Sequence, residues 1–144
     1  MPELAELDPH DAASQLLAEH DSEWVAALTE ELDRRLSGRQ LQYTMRLWKL
    51  SRTQLGEVFG VSRQAVSKWI DGGVPADRIT QVADLAAITD LLAHYLKRDR
   101  IPAVVRRPAP NLGDVSLLDL VTEGRTGDAV AFTRRMFAFA DAHG

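Results

Sequence analysis

Arg63, Gln64, Ser67 and Lys68 fall on one side of the segment 62–70 if that segment is helical. An arginine fork matches the O6/N7 edge of guanine, and a glutamine amide pairs bidentately with adenine N6/N7. Hydroxyls and an ammonium suit phosphate oxygens. The chemistry on offer is recognition of a duplex, with no bond made or broken. Arg63, Gln64 and Ser67 are the candidates for base edges. Ser51, Thr53, Gln54, Ser62 and Lys68 are the candidates for phosphates, with first-turn amides and the helix dipole assisting Thr53 and Gln54. No catalytic constellation competes: there is no Gly-rich phosphate loop, nucleophile elbow or His-Glu-x-x-His. His10, His20, His94 and His143 are scattered, and cysteine is absent. Neither an enzyme, a metal nor a cofactor is expected.

The elements around these residues must be a helix, a tight turn and a second helix. Ser51-Arg52-Thr53-Gln54 has capping-box form. Leu55 and Phe59 face inward, Gly56 is small where the helices cross, and Gly60 permits a left-handed turn. At Gly56 the expected cost is helix propensity alone. Ser62 caps the second helix, from which Val66 and Trp69 pack back on the first. The motif spans residues 52–70.

The rest of the chain reads as helix and short turn. Asp8-Pro9 opens a helix to about His20, and Asp21 or Ser22 opens the next. There Val25, Leu28, Leu32 and Leu36 share a face, and Gly38 is the expected stop before a third helix over Gln40–Lys49. This N-terminal arm, which also carries Trp24, is expected to pack on the motif's core rather than to serve as a dimer interface. Asp71-Gly72-Gly73 reads as a turn, and Pro75 opens a long helix to Leu96. Residues 98–110 are basic, hold Pro102, Pro108 and Pro110, and read as a linker with at most one helical turn. Ser116 caps a short helix ending at Gly124, and a last helix covers about 128–141. Alternating strand patterns are missing. The expected fold class is all-α: a helix-turn-helix domain with an N-terminal extension over 1–96, then a small helical domain over 97–144.

Composition fits this picture. The 144 residues are 45% hydrophobic and 26% charged. The net charge of −4 hides a split: −10 over residues 1–33, which hold no Lys or Arg, +4 over 34–96 and +2 over 97–144. A basic body suits an anionic partner. No charge-free run is long enough for a membrane span, and the acidic N-terminus is unlike a signal peptide, so a cytoplasmic protein is expected.

In the C-terminal part, Arg98, Arg100, Arg106, Arg107, Arg125, Arg134 and Arg135, with Asn111 and Thr126, are the residues that would touch DNA if they share a face. Phe132, Met136 and Phe139 recur at i, i+4 and i+7, with Val130 and Phe137 on other sides. A helix this apolar must be covered by the domain core or by a partner.

Residues 52–70 resemble the helix-turn-helix of the Xre/Cro-like repressor family, with Gly56 where that family more often has Ala. Pro110-Asn111-Leu112-Gly113 and Leu117 to Gly124 resemble the C-terminal domain of Xre/MbcA/ParS-type antitoxins, with Ser116-Leu117 where Ser-Pro is usual. The whole layout is similar to immunity repressors of one large group of mycobacteriophages. That resemblance implies a transcriptional repressor maintaining lysogeny. It would bind double-stranded DNA as a monomer, at asymmetric operators and stoperators, with both domains. The antitoxin resemblance implies the alternative: a C-terminal domain that holds a toxin, and a helix-turn-helix that represses its own operon.

Overall fold

The computed structural model describes residues 3–143, with side chains through Ala138. Among these residues the fold is all-α. There are eight α-helices and no strand: α1 Pro9–Glu19, α2 Ser22–Trp48, α3 Arg52–Phe59, α4 Arg63–Gly72, α5 Ile79–Tyr95, α6 Ile101–Arg106, α7 Leu117–Thr122 and α8 Thr126–His143. Asp8 caps α1 by accepting from the Asp11 amide at 2.8 Å, with Pro9 in the first turn where no donor is needed. Asp21 caps α2 in the same way through the Trp24 amide, also at 2.8 Å.

One helix replaces the two expected over 22–49. Gly38 does not stop α2; it lies buried inside it. A Cβ there would sit 2.7 Å from the carbonyl oxygen of Ile70 and 3.1 Å from that of Trp69. The glycine is a point of close approach between α2 and the end of α4. The real stop is Lys49, in the left-handed region at φ 53°, with the Leu50 amide returning to the Met45 carbonyl at 2.9 Å.

The buried apolar cluster runs from Leu41 to Phe137, with Leu41, Trp48, Leu55, Val66, Ile88, Leu92, Ile101, Val105 and Leu120 fully buried. Residues 98–110 contribute to it rather than acting as a free connector. A 3-10 turn over Arg98–Arg100 leads into α6, whose Ile101 and Val105 are both 0% exposed. Pro102 is accommodated in the first turn of α6, which explains why a proline here does not signal a loop. The elements on either side of residue 96 therefore share one core.

Polar groups inside this core are matched. Trp48 Nε1 donates to Thr89 Oγ1 at 2.9 Å, and Thr89 Oγ1 donates to the Leu85 carbonyl at 2.7 Å. Thr44 Oγ1 lies 3.4 Å from the same hydroxyl.

The N-terminal arm does not pack on that core, contrary to the expectation. No described residue before Ser37 is buried. A helix of 27 residues is about 40 Å long. Its buried residues lie between Ser37 and Trp48, and Arg34, one turn earlier, passes against Gly73. Leu17, Trp24, Leu32 and Leu36 stay 63%, 42%, 56% and 53% exposed. Trp24 stacks on His20 with centroids 3.7 Å apart.

Candidate nucleic-acid interface

The capping box at α3 is formed as its sequence requires. Ser51 Oγ accepts from the Gln54 amide at 3.1 Å, and Gln54 Oε1 accepts from the Ser51 amide at 2.8 Å. Gly60 takes the left-handed conformation at φ 69°, and the Val61 amide returns to the Gly56 carbonyl at 2.8 Å. Ser62 Oγ then accepts from the Ala65 amide at 3.1 Å and starts α4. Val66 is fully buried, and Trp69 meets Phe59 edge-to-face at 5.4 Å. From the residue preceding α5, Arg78 Nη1 donates to the Phe59 carbonyl at 3.1 Å. The result is a helix–turn–helix with both helix starts capped and a left-handed glycine in the turn.

Gly56 does more than set helix propensity. A Cβ there would lie 2.6 Å from the Val61 carbonyl oxygen, so the glycine makes room for the turn itself.

The outward residues are presented as anticipated in part. Arg63, Gln64 and Lys68 are exposed on α4, and among the described residues Arg63 and Lys68 make no ion pair. Thr53 is exposed on α3. The hydroxyls of Ser51 and Ser62 and the amide oxygen of Gln54 are occupied by capping, which leaves the Gln54 amino group for an outside acceptor. Ser67 is half-buried and accepts from Arg52 Nη1 at 2.7 Å. Arg52 carried no role in the sequence reading. It bridges the first turn of α3 to the middle of α4, and no local pattern could reveal a bond between residues fifteen apart.

The C-terminal candidates divide. Arg106 is committed internally: Nη1 donates to the Trp48 and Pro102 carbonyls at 2.7 and 2.9 Å, and Nη2 to Lys49 at 3.0 Å. Arg125 pairs with Asp128 at 3.0 Å and lies 3.9 Å from Glu123. Thr126 is buried and donates to Asp84 at 3.3 Å. Arg98, Arg100, Arg107, Arg134 and Arg135 are exposed. Asn111, Phe132, Arg135 and Met136 line an open depression of about 400 Å³, whereas Val130 and Phe137 are buried in the core. The side chain of Phe139 lies outside the described residues.

Among the described residues no helix is long and apolar enough to cross a membrane, and no cluster of His, Asp or Glu could hold a metal ion.

No protein-family model and no curated protein matches the chain. Among solved structures, it is similar to a chain of the crystal structure of the M. tuberculosis MbcT-MbcA toxin-antitoxin complex. The TM-score is 0.57 at 24% identity, over 69% of this chain and 91% of that one. That likeness shows a shared helical fold.

Proposed function

We propose that this protein is an antitoxin-type DNA-binding regulator that acts by binding, without catalysis or cofactor. The exposed Arg63–Gln64–Lys68 ridge, on a helix fixed by its cap and a left-handed glycine turn, carries the reading. Arg63 and Gln64 read base edges in the major groove. Lys68, Thr53 and the Gln54 amino group hold phosphates. Ser67 reaches the duplex jointly with Arg52. The shared fold with a chain of a toxin–antitoxin complex supports a toxin as second partner. The depression between Asn111, Phe132, Arg135 and Met136 is the candidate contact. In this reading residues 97–144 serve the partner and the preceding helices serve DNA.

A second reading is favoured by the exposed Arg100, Arg107, Arg134 and Arg135. In it the C-terminal helices touch DNA as well, and the protein is a phage-immunity repressor on asymmetric sites.

Selection of bound sequences from a random duplex library tests both. A palindrome with half-sites one helical turn apart supports the antitoxin reading. An asymmetric motif longer than one helix-turn-helix can cover supports the repressor reading. No enriched motif refutes the DNA role altogether. On the selected site, Arg63→Ala should weaken specific binding by about 1–3 kcal/mol and relax preference at one base pair. Unchanged preference would remove Arg63 from base reading.

A further inference from the structure

Two stretches of the chain carry most of its positive charge, and the fold brings them together. From Arg34 to Gly56 there are six bases and no acid, and from Lys97 to Arg107 five bases and one acid. Arg106 ties the second stretch to the first through the carbonyls of Trp48 and Lys49, at 2.7 and 3.0 Å. Beside that clasp, Arg46, Leu47, Lys49, Arg98, Asp99 and Pro102 line one depression of about 340 Å³. Arg46, Lys49 and Arg98 are exposed, and among the described residues none of them forms an ion pair. Asp99 is the single acid of the depression, so three bases against one acid leave it at +2. Arg46 stands over the Tyr43 ring, 5.8 Å from its centroid. Gathering like charge on one face costs a folded chain stability through self-repulsion, and an anion from outside relieves it.

The position of the depression selects the anion. Lys49 and Leu50 lead straight into Ser51, the cap on which α3 starts, and the exposed Thr53 and Gln54 follow in its first turn. Arg46 also borders a second depression, of about 350 Å³, whose other lining residues are Gln42, Met45 and Leu50. The basic surface is thus continuous with the side of α3 assigned to phosphates. A duplex strand presents a phosphate about every 3.4 Å along its axis, a row of charges rather than one. Cations spread over two elements match such a row better than they match a single small anion.

We propose that the depression between the end of α2 and the turn into α6 is a phosphate-backbone site, where Arg46, Lys49 and Arg98 hold the duplex beside the helix–turn–helix. The proposal rests on the DNA reading of α4 and extends it. Arg98 thereby serves the duplex although it lies beyond residue 96. These contacts carry no sequence information; they lengthen the footprint on one flank and add affinity that salt removes.

The test is fluorescence anisotropy of the full chain on two duplexes of about 30 base pairs, one carrying the selected site and one scrambled, at about 50 to 200 mM salt. Arg46→Gln, Lys49→Gln and Arg98→Gln should each flatten the slope of log K against log salt by about 0.9. Each should weaken both duplexes by the same factor, roughly eightfold at about 0.1 M salt. Arg46→Lys should keep the slope. Arg35→Gln, earlier on α2, removes the same charge outside the depression and should also leave the slope unchanged. All these positions are exposed, so an unchanged melting temperature is expected and serves as the folding control. Arg63→Ala, by contrast, should alter the preference between the two duplexes. If it does, while all three glutamine variants keep the wild-type slope, this proposal is overturned and the reading of α4 stands. An equal loss from Arg35→Gln overturns it too, since the effect is then one of net charge. A wild-type chain that binds neither duplex overturns both.

Discussion

Gly38→Ala is the sharpest probe of how α2 meets α4. The new methyl carbon would stand 2.7 Å from the Ile70 oxygen and 3.1 Å from the Trp69 oxygen. Both are backbone atoms, so neither can swing aside as a flexible side chain would. The two helices must part by several tenths of an ångström, and overpacking of this kind costs about 1–3 kcal/mol. Alanine also gains up to about 1 kcal/mol over glycine inside a helix, which obscures the raw number. Gly72→Ala provides the reference, because a Cβ at Gly72 in the last turn of α4 meets nothing within 4 Å. Subtracting one from the other cancels most of the propensity gain. Gly38→Ala should therefore be less stable than Gly72→Ala by about 1–3 kcal/mol, or roughly 3–10 °C in midpoint for a chain of this size. Thermal and urea melts of the two variants measure it. Equal stability, or a Gly38→Ala protein that melts higher, would refute the close approach and return Gly38 to the role of a helix stop.

Other outcomes rest on single contacts. Thr89→Val removes the acceptor of Trp48 Nε1 in a fully buried site and should cost about 1–3 kcal/mol, whereas Thr89→Ser should cost less than half of that; urea titration separates them. Arg106→Ala frees the carbonyls of Trp48 and Lys49 and should cost about 1–2 kcal/mol, with Arg106→Lys recovering only part. Burial, then the neighbouring Asp90 carboxylate, which accepts its hydrogen bond, pushes the Tyr43 hydroxyl above its ordinary value of 10.0. The neutral phenol is thus favoured by folding, so its contribution is intact below pH 10 and is lost as pH rises through the folded value. Titration followed by phenolate absorbance should show Tyr43 ionising late, and Asp90→Asn should bring it earlier.

The features legible in the sequence were those that depend on neighbours along the chain. Ser51 with Gln54, Gly60, Ser62 and the Val66–Trp69 pair are local signals, and the structure realises each of them. Gly38 was misread because its role is tertiary: a glycine that ends a helix and one that admits another backbone look alike in sequence. Pro102 misled for a related reason, since a proline in a first helical turn and one in a loop differ only in the conformation of the residues after them. The Arg52–Ser67 and Arg106–Trp48 bonds join residues fifteen and fifty-eight apart, beyond any periodicity. The arm's apolar stripe was legible as a stripe. Whether it faces its own core or another molecule depends on where a 27-residue helix leaves the body, and that only the packed fold decides.

The guanidinium of Arg106 gives the chain an unusual seam. It grips the carbonyls of Trp48 and Lys49, at the end of α2, immediately before the turn that delivers Ser51, the cap on which α3 starts. Ile101 and Val105 are fully buried on α6, which packs against α2. A chain cut after Leu96 would therefore not be a smaller version of this protein. It would lose the clasp that holds the entrance to the helix–turn–helix and the apolar packing of α6. The C-terminal helices are thus tied to the start of α3, and their removal is expected to loosen the helix–turn–helix as well.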